Sequence, residues 1–555
     1  MTNNNGLKGR VRADGTMLSR REIIALGGAA FLAAAVPFKS AFAQEEAKDP
    51  NQTLKILTLT TSPQWSPLFG GSTSLLMASI WWASPMYFDT EGNLNPYVYI
   101  AWEGSDAQDV WTFQIDPKAV FSDGSPITSA EIKGGLELSA VPSTKHQRID
   151  QVIGNVKGFS DVYNGGGREI SGIVAVDSHT VRFELSQPDP VFFLRMSSHL
   201  APVIKPEQAR DANGEEVFEW WQPGNGTAYS GPFRPTMMDT VGLNADFVRN
   251  DNFFGPRPHL DKIELRHGAD ATTSTALLQR GEFDAHMELL TPTLIQDLGA
   301  DFATGPIIPR GHHFWLSQSS PPTDDIKVRQ ALIMAVDRDA LMKLTFPDGP
   351  NQKADQVMNA VPGVDPDYVP YPYDPDAARK ALAESSYGTA DNFPPLIMQG
   401  IVQTSQVAAQ YIAEQWRQVL GVDRLEMRTQ ADSATGADQN STQIFRDDVA
   451  TRVPDATIYL MGAIHSSSGN AKAKMGGYAN AKIDELLEKA RLLPVTDPHR
   501  DELAREAQRL FREDWMYIPW HYTTRSKFAL PYVKGIDRNL DWNIARPWAV
   551  YRAAH

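Results

Sequence analysis

Cysteine is absent from the 555 residues of this sequence. Its absence excludes disulfide bonds, thiolate zinc sites, iron–sulfur clusters and a cysteine nucleophile. It also excludes a lipid-modified cysteine after an export signal, so we expect an exported form that is free rather than tethered. A free exported protein stays near the cell only where a second membrane encloses it. The composition therefore favours the periplasm of a Gram-negative bacterium.

The sequence also lacks the short motifs of several enzyme classes. It has no G-x-S-x-G elbow, no H-E-x-x-H zinc pair and no G-x-x-x-x-G-K phosphate loop. The adjacent histidines His312 and His313 point to opposite faces if they lie on a strand, so an ordinary strand is favoured over a shared metal site. We predict no cofactor and no bound metal, and we expect a protein that is not an enzyme.

Long apolar runs are missing after the first 44 residues, so no later segment is expected to span a membrane. The sequence has 52 basic and 67 acidic residues and a formal net charge of −15. Residues 1–43 contribute six basic and two acidic residues, which leaves −19 for the remainder. This charge argues against nucleic acid and anionic membrane surfaces as partners. We expect a monomer that binds a small molecule.

The first 44 residues have the pattern of a secretory signal. Arg20 and Arg21 precede an apolar run from Ala25 to Phe38, and Ala41-Phe42-Ala43 has the small residues of a cleavage site. The paired arginines favour the twin-arginine route, which exports folded proteins. The alternative is an ordinary surface helix. We predict a twin-arginine signal peptide at 1–43, cleaved after Ala43.

The rest of the sequence alternates between strand and helix patterns. Strands are predicted at 54–59, 181–185 and 262–266, and a turn at 177–179 predicts a hairpin with 173–176. Helices are predicted where apolar residues recur every three or four positions, at 325–336, 374–382, 412–420, 483–490 and 503–511. Asp374 before Pro375 suits a helix start, and Gly281 and Gly421 suit helix ends. Interleaved elements indicate an α/β fold with at least two lobes.

Several segments resemble the family 5 extracellular solute-binding proteins, the oligopeptide-, dipeptide- and nickel-binding type that serves ATP-driven importers. Phe121–Glu131 resembles the family's F-x-D-G-x-P signature, and Ser230–Phe233 resembles its G-T-G-P-Y turn. Similar segments follow in the expected order: the hairpin 172–188, the R-N run 248–263, the helix pair 324–338, Tyr373–Pro375, and Tyr478 with Ile483-Asp484.

This resemblance implies a bilobal periplasmic-binding-protein fold with a hinge between the lobes and an extra subdomain in lobe one. Lobe one maps to 44–75, 222–306 and 524–555, and the extra subdomain to 76–221. Lobe two maps to 307–523. The ligand is expected between the two lobes.

The chain departs from the peptide-binding members at one position. Their W-x-x-D-Y-x-x-P segment, whose aspartate pairs with a peptide's α-ammonium, resembles residues 449–459 here. Arg452 then stands in place of the aspartate, and a guanidinium suits a carboxylate or phosphate instead. A shifted alignment would give the amine to Asp455. Arg446 either joins Arg452 or is solvated, and Arg452 itself is alternatively a salt-bridge residue.

Aromatic residues supply the remaining candidate contacts. Trp65 follows the first strand, Trp82 belongs to the pair Trp81-Trp82, of which one is expected to point inward, and Tyr229 precedes the Ser230 turn. Aromatic faces stack on sugars and apolar ligand surfaces. Core packing is the alternative for each residue.

The sequence as a whole predicts a periplasmic solute-binding component of an importer. It would capture a peptide-like, opine-like or sugar-derived ligand, anionic if Arg452 contacts it, and deliver it to a permease of the ABC transporter in the inner membrane. The alternatives on the same fold are an exported enzyme and a ligand-sensing receptor.

Overall fold

The structure is a computed structural model. It describes residues 47–554 apart from 59–64, 71, 90–92, 269, 287–297, 299–302, 305–309, 347–350, 359–360, 403–404, 430–441, 452, 524–526, 537–543 and 545. The predicted signal at 1–43 and the candidate Arg452 lie outside the described residues.

The chain divides into two compact units. Unit 1 comprises Met1–Pro306 and Ser526–His555, and unit 2 comprises Ile307–Arg525. Lobe two was predicted to end at residue 523, and unit 2 ends at residue 525. The separation of an extra subdomain at 76–221 stays a prediction.

The described strands and helices alternate along both units, which confirms the α/β class. The strands are β1 (Thr53–Thr58), β2 (Met86–Phe88), β3 (Leu94–Pro96), β4 (Tyr99–Gly104), β5 (Val110–Ile115), β6 (Ile173–Asp177), β7 (Thr180–Glu184), β8 (Phe233–Asp239), β9 (Asn244–Arg249), β10 (Lys262–His267), β11 (Ala285–His286), β12 (Ala303–Thr304), β13 (Arg310–Leu316), β14 (Gln352–Lys353), β15 (Leu396–Ile401), β16 (Leu425–Thr429), β17 (Ile444–Ala450), β18 (Tyr517–Tyr522), β19 (Lys527–Phe528), β20 (Val533–Lys534) and β21 (Tyr551–Arg552). The helices are α1 (Ser72–Trp81), α2 (Ser129–Ala140), α3 (Asp150–Ile153), α4 (Phe159–Tyr163), α5 (Phe192–Arg195), α6 (Pro206–Ala209), α7 (Ala271–Gln279), α8 (Ile326–Met334), α9 (Arg338–Thr345), α10 (Pro375–Ala383), α11 (Gln406–Leu420), α12 (Ala456–Ala463), α13 (Gly469–Ala473), α14 (Ala481–Leu492) and α15 (Pro498–Glu513). None of the helices within the described ranges is long and apolar enough to cross a membrane.

Unit 1 contains two larger sheets. The first has the order β11-β1-β10-β9-β8, in which β1 runs parallel to both of its neighbours. The second is antiparallel, with the order β4-β5-β7-β6. The hairpin β6–β7 closes at the predicted turn, where the Asp177 carboxylate accepts a hydrogen bond from the backbone N–H of His179. Apolar side chains that alternate along β5 and β7, such as Phe113 and Phe183, are fully buried.

Unit 2 contains a six-stranded sheet with the order β14-β18-β13-β17-β15-β16. Strand β13 lies inside the sheet and pairs antiparallel with both β17 and β18. A register shift between His312 and His313 marks an irregularity in the β13–β18 ladder. Strand β15 runs parallel to β17 and to β16. A large apolar core that includes Trp315, Trp416 and Phe511 packs around this sheet.

Three predicted helix boundaries of unit 2, at Asp325, Asp374 and Gly421, are confirmed, whereas the helices predicted at 412–420 and 503–511 begin earlier, at Gln406 and Pro498. The Asp325 carboxylate accepts a hydrogen bond from the Lys327 N–H before α8, and Asp374 caps α10 ahead of Pro375. Helix α11 ends at Gly421, whose φ of 75° lies in the left-handed region that glycine tolerates. The two aspartate side chains and the backbone N–H of Gly421 satisfy backbone groups that a helix end leaves without intrahelical partners.

Gly231 generates a first prediction, because the chain approaches α1 too closely there for any other residue. A Cβ at this position would lie 2.3 Å from the carbonyl carbon of Trp81. The Gly231→Ala variant must shift backbone, so we expect a loss of about 1–3 kcal/mol or more in the free energy of unfolding. Urea denaturation measures this loss. Gly167→Ala is the control, because a Cβ there meets nothing within 4 Å; equal losses in the two variants would contradict the prediction.

Candidate functional site

Trp82 and Tyr229 pack against each other in unit 1. Their ring centroids lie 5.3 Å apart, and Trp82 also lies 5.4 Å from Trp220. The Tyr229 hydroxyl donates a hydrogen bond of 3.0 Å to the backbone carbonyl of Trp221. Both side chains are buried, so the structure supports core packing for them and not the expected ligand contact. Trp81 is buried as well, so both members of the pair lie in the interior of unit 1.

Trp65 lies in the interior of unit 1 and is 1% exposed. Its indole N–H has no hydrogen-bond partner among the described residues. Beside it in the sequence, the Ser66 hydroxyl donates to the carboxylate of Glu216, which also accepts from the indole of Trp220. Burial raises the pKa of Glu216 above its ordinary value. A ligand contact by Trp65 stays a prediction.

Asp455 serves the fold of unit 2. Its two carboxylate oxygens each accept a hydrogen bond of 2.9 Å from the guanidinium of Arg500, and both side chains are 1% exposed. One oxygen also accepts from the N–H of Ile458 and so caps α12. A ligand amine would have to displace Arg500, so we correct the expectation that Asp455 holds an amine.

Arg446 lies on a face of the unit 2 sheet and is half-buried. In β17 it is directly opposite Phe314 of β13, and its Nη2 lies 2.9 Å from Nδ1 of His312. Its guanidinium also lies 6.0 Å from the ring of Trp520. Its Nε is buried without a hydrogen-bond partner among the described residues. Burial lowers the pKa of Arg446, although the nearby carboxylates of Asp447 and Asp448 act to raise it. An arginine nevertheless stays charged at neutral pH.

Those two carboxylates are held by other cations. Arg310 forms a two-pronged pair with Asp448, with N–O distances of 2.7 and 2.8 Å. Lys474 lies 3.1 Å from the carboxylate of Asp447. Burial alone would raise the pKa of Asp448, but the charge and hydrogen bonds of Arg310 outweigh it and the pKa is lowered.

Two histidines complete this cluster, and the sequence did not indicate them as site residues. His312 and His521 are paired across β13 and β18, and their rings stack with centroids 4.2 Å apart. Burial lowers the pKa of His521 to about 3. His313 lies elsewhere, with Nε2 2.9 Å from the carbonyl of Val357. Among the described residues no group of three or more His, Cys, Asp or Glu side chains could hold a metal ion. The cluster forms because β13 pairs with β17 and β18, which are distant in the sequence. A single sequence does not reveal such pairing, so it could not indicate the two histidines.

The chain is similar in sequence and in fold to known proteins. A family model described as bacterial extracellular solute-binding proteins, family 5 Middle, matches residues 93–471. The periplasmic oligopeptide-binding protein OppA of Escherichia coli K12 is 25% identical over 470 residues, which are 80% of this chain and 82% of OppA. The glutathione-binding protein GsiB of the same organism is 25% identical over 446 residues, which are 78% of this chain and 80% of GsiB. The structure of the Escherichia coli murein tripeptide binding protein MppA superposes with a TM-score of 0.73 at 18% identity, over 92% of this chain and all of MppA.

The fold is that of a solute-binding protein of the bilobal α/β class. The family model matches more than half of the chain, residues 93–471, and therefore shows the family as well as the fold. The chain belongs to family 5 of the bacterial extracellular solute-binding proteins.

The buried pair Asp455–Arg500 generates a second prediction. Asp455→Ala leaves a guanidinium buried without its partner, which costs about 3–5 kcal/mol of folding stability. The control is Glu414→Ala, because Glu414 pairs with Arg417 on the surface and such pairs contribute about 1 kcal/mol or less. Urea denaturation compares the two variants. The double variant Asp455→Leu, Arg500→Met should recover part of the loss, and no recovery would contradict the assignment of the cost to an unpaired charge.

Proposed function

We propose that this chain is the periplasmic solute-binding component of an ATP-driven importer. It captures a small ligand between its two lobes and delivers it to a permease in the inner membrane. Membership in family 5 supports this function, and the matched relatives OppA and GsiB carry the names of binding proteins for oligopeptides and glutathione. A turnover assay against bound ligands separates this function from that of an exported enzyme.

Capture requires no covalent step. A ligand can shift an equilibrium between two conformations only if it binds one of them more tightly. The ligand therefore contacts both lobes in the closed form, and contacts made with one lobe alone do not drive closure. The permease then recognises the closed form.

The ligand carries an anionic group, which Arg446 contacts. The observation that carries this proposal is the half-buried guanidinium of Arg446, whose Nε has no hydrogen-bond partner among the described residues. A guanidinium binds carboxylates and phosphates through paired, charge-assisted hydrogen bonds. The predicted contact from Arg452 would add a second cation. Peptides with free carboxylates, opines and acidic sugar derivatives all meet this requirement.

Ligand identification generates a third prediction. Native mass spectrometry of the purified protein should reveal a bound small molecule with a carboxylate or phosphate group. In a thermal-shift assay, glutathione should raise the melting temperature, because a ligand at about 100 times its dissociation constant adds about 2.7 kcal/mol of stability. Glutathione diethyl ester, which lacks both carboxylates, is the matched control and should give a much smaller shift. An uncharged or purely cationic co-purifying molecule would refute an anionic ligand.

We further propose that the chain reaches the periplasm by the twin-arginine route and is cleaved after Ala43. The paired Arg20-Arg21 before the apolar run 25–38 supports this route. Export of a folded chain fits a protein whose cores are large and contain no disulfide, because folding then needs no oxidising compartment.

Export generates a fourth prediction. The double variant Arg20→Lys, Arg21→Lys should leave most of the protein in the cytoplasm, since the route recognises the guanidinium pair and not positive charge alone. Cell fractionation and the mass of the mature N-terminus measure the result. Arg10→Lys, Arg12→Lys is the control with the same chemical change outside the pair. Normal export of the Arg20/Arg21 variant would exclude the twin-arginine route.

A further inference from the structure

The positive charge of Arg446 exceeds what its neighbours balance. Among the described residues, the charged groups around Arg446 are three cations and two carboxylates, namely Arg310, Arg446, Lys474, Asp447 and Asp448. Each carboxylate has another cation as its direct partner, at 2.7 Å for Arg310 and 3.1 Å for Lys474. Among the described residues no ion pair to Arg446 is formed. One positive charge is therefore in excess, and it belongs to Arg446.

The group that holds Arg446 is His312, and it holds the guanidinium without a charge of its own. Arginine can only donate hydrogen bonds, so Nδ1 of His312 is the acceptor in the 2.9 Å contact and is unprotonated. The hydrogen then lies on Nε2, which donates to the Thr523 hydroxyl at 2.9 Å. Both ring nitrogens are thus used, and the tautomer of His312 is fixed.

The environment keeps His312 neutral. The ring is buried, and burial together with the nearby guanidinium groups of Arg310 and Arg446 lowers its pKa well below the ordinary value. The stacked ring of His521 is neutral as well, since its pKa is also lowered by burial. A carboxylate in place of His312 would orient Arg446 equally well but would cancel its charge. An imidazole fixes the position of the guanidinium and leaves the charge available.

We propose that His312 is the positioning residue of an anion subsite, in which its Nδ1 orients Arg446 while the guanidinium keeps its full charge for a carboxylate of the ligand. This inference rests on the proposed function and deepens it, because it names the group that sets the selectivity for anions. Charge selectivity then depends on a residue that does not itself contact the ligand.

The first test needs no ligand and compares two arginines on the same sheet. Native mass spectrometry first shows that each protein sample is free of ligand. Arg446→Met removes the excess charge and should therefore raise the midpoint of thermal unfolding. Arg310→Met makes the same chemical change but leaves Asp448 unpaired, and it should lower the midpoint. Opposite signs support the excess charge at Arg446. A decrease in both variants would overturn the inference.

The second test measures glutathione binding by isothermal titration calorimetry. His312→Leu removes the acceptor, and we expect about a tenfold or greater loss of affinity, the size of one hydrogen bond to a charged group. His312→Asn restores a neutral acceptor near the place of Nδ1 and should recover most of that loss. Equal affinities in the two variants would refute the positioning role. If glutathione does not bind the unmodified protein, glutathione is excluded as the ligand, while the comparison of Arg446→Met with Arg310→Met still decides whether Arg446 carries the excess charge on which the inference depends.

Discussion

The pairing of β13 with two neighbouring strands is the interaction on which unit 2 depends. Because β13 is antiparallel to both β17 and β18, it joins segments that lie far apart in the chain into one sheet. Directly opposite residues of such strands share a face. The pairing therefore brings His312, Arg446 and His521 together and packs Trp520 beside them. The chemistry of the site follows from strand register.

The buried charged groups of unit 2 differ in their partners, and this difference distinguishes the structural ion pairs from the candidate binding group Arg446. Asp455–Arg500 and Arg310–Asp448 are two-pronged pairs that satisfy each other within the fold. An ion taken out of water needs such a partner, because its desolvation is otherwise expensive. Arg446 has a neutral imidazole where these pairs have a carboxylate. That difference supports the proposal that Arg446 binds a ligand.

The sequence predicted local features well. The hairpin at 173–184, the Asp374 cap before Pro375 and the Gly421 helix end depend on side chains that act on backbone a few residues away, and all three are present. The cluster around Arg446 was predicted only for Arg446 itself, since His312 lies 134 positions away and no local pattern joins them. Asp455 was misassigned because its partner Arg500 comes from a different helix. Trp82 and Tyr229 show the same limit, since aromatic residues in a core and in a binding site look alike in sequence.

Unit 1 is assembled from both ends of the described chain. The Gln52 side chain donates to the backbone carbonyl of Arg552, and the Arg552 guanidinium donates to the carbonyl of Thr53. The Tyr532 hydroxyl binds the carboxylate of Asp284. During synthesis, unit 2 has every strand of its sheet within one continuous segment, whereas unit 1 must wait for residues 526–554, which follow unit 2 in the chain. These contacts close a loop of about 500 residues between Gln52 and Arg552, so unit 1 cannot be finished before the segment around Arg552 has been made. A translocation machinery that accepts only folded cargo would thereby reject a chain that stops before residue 526.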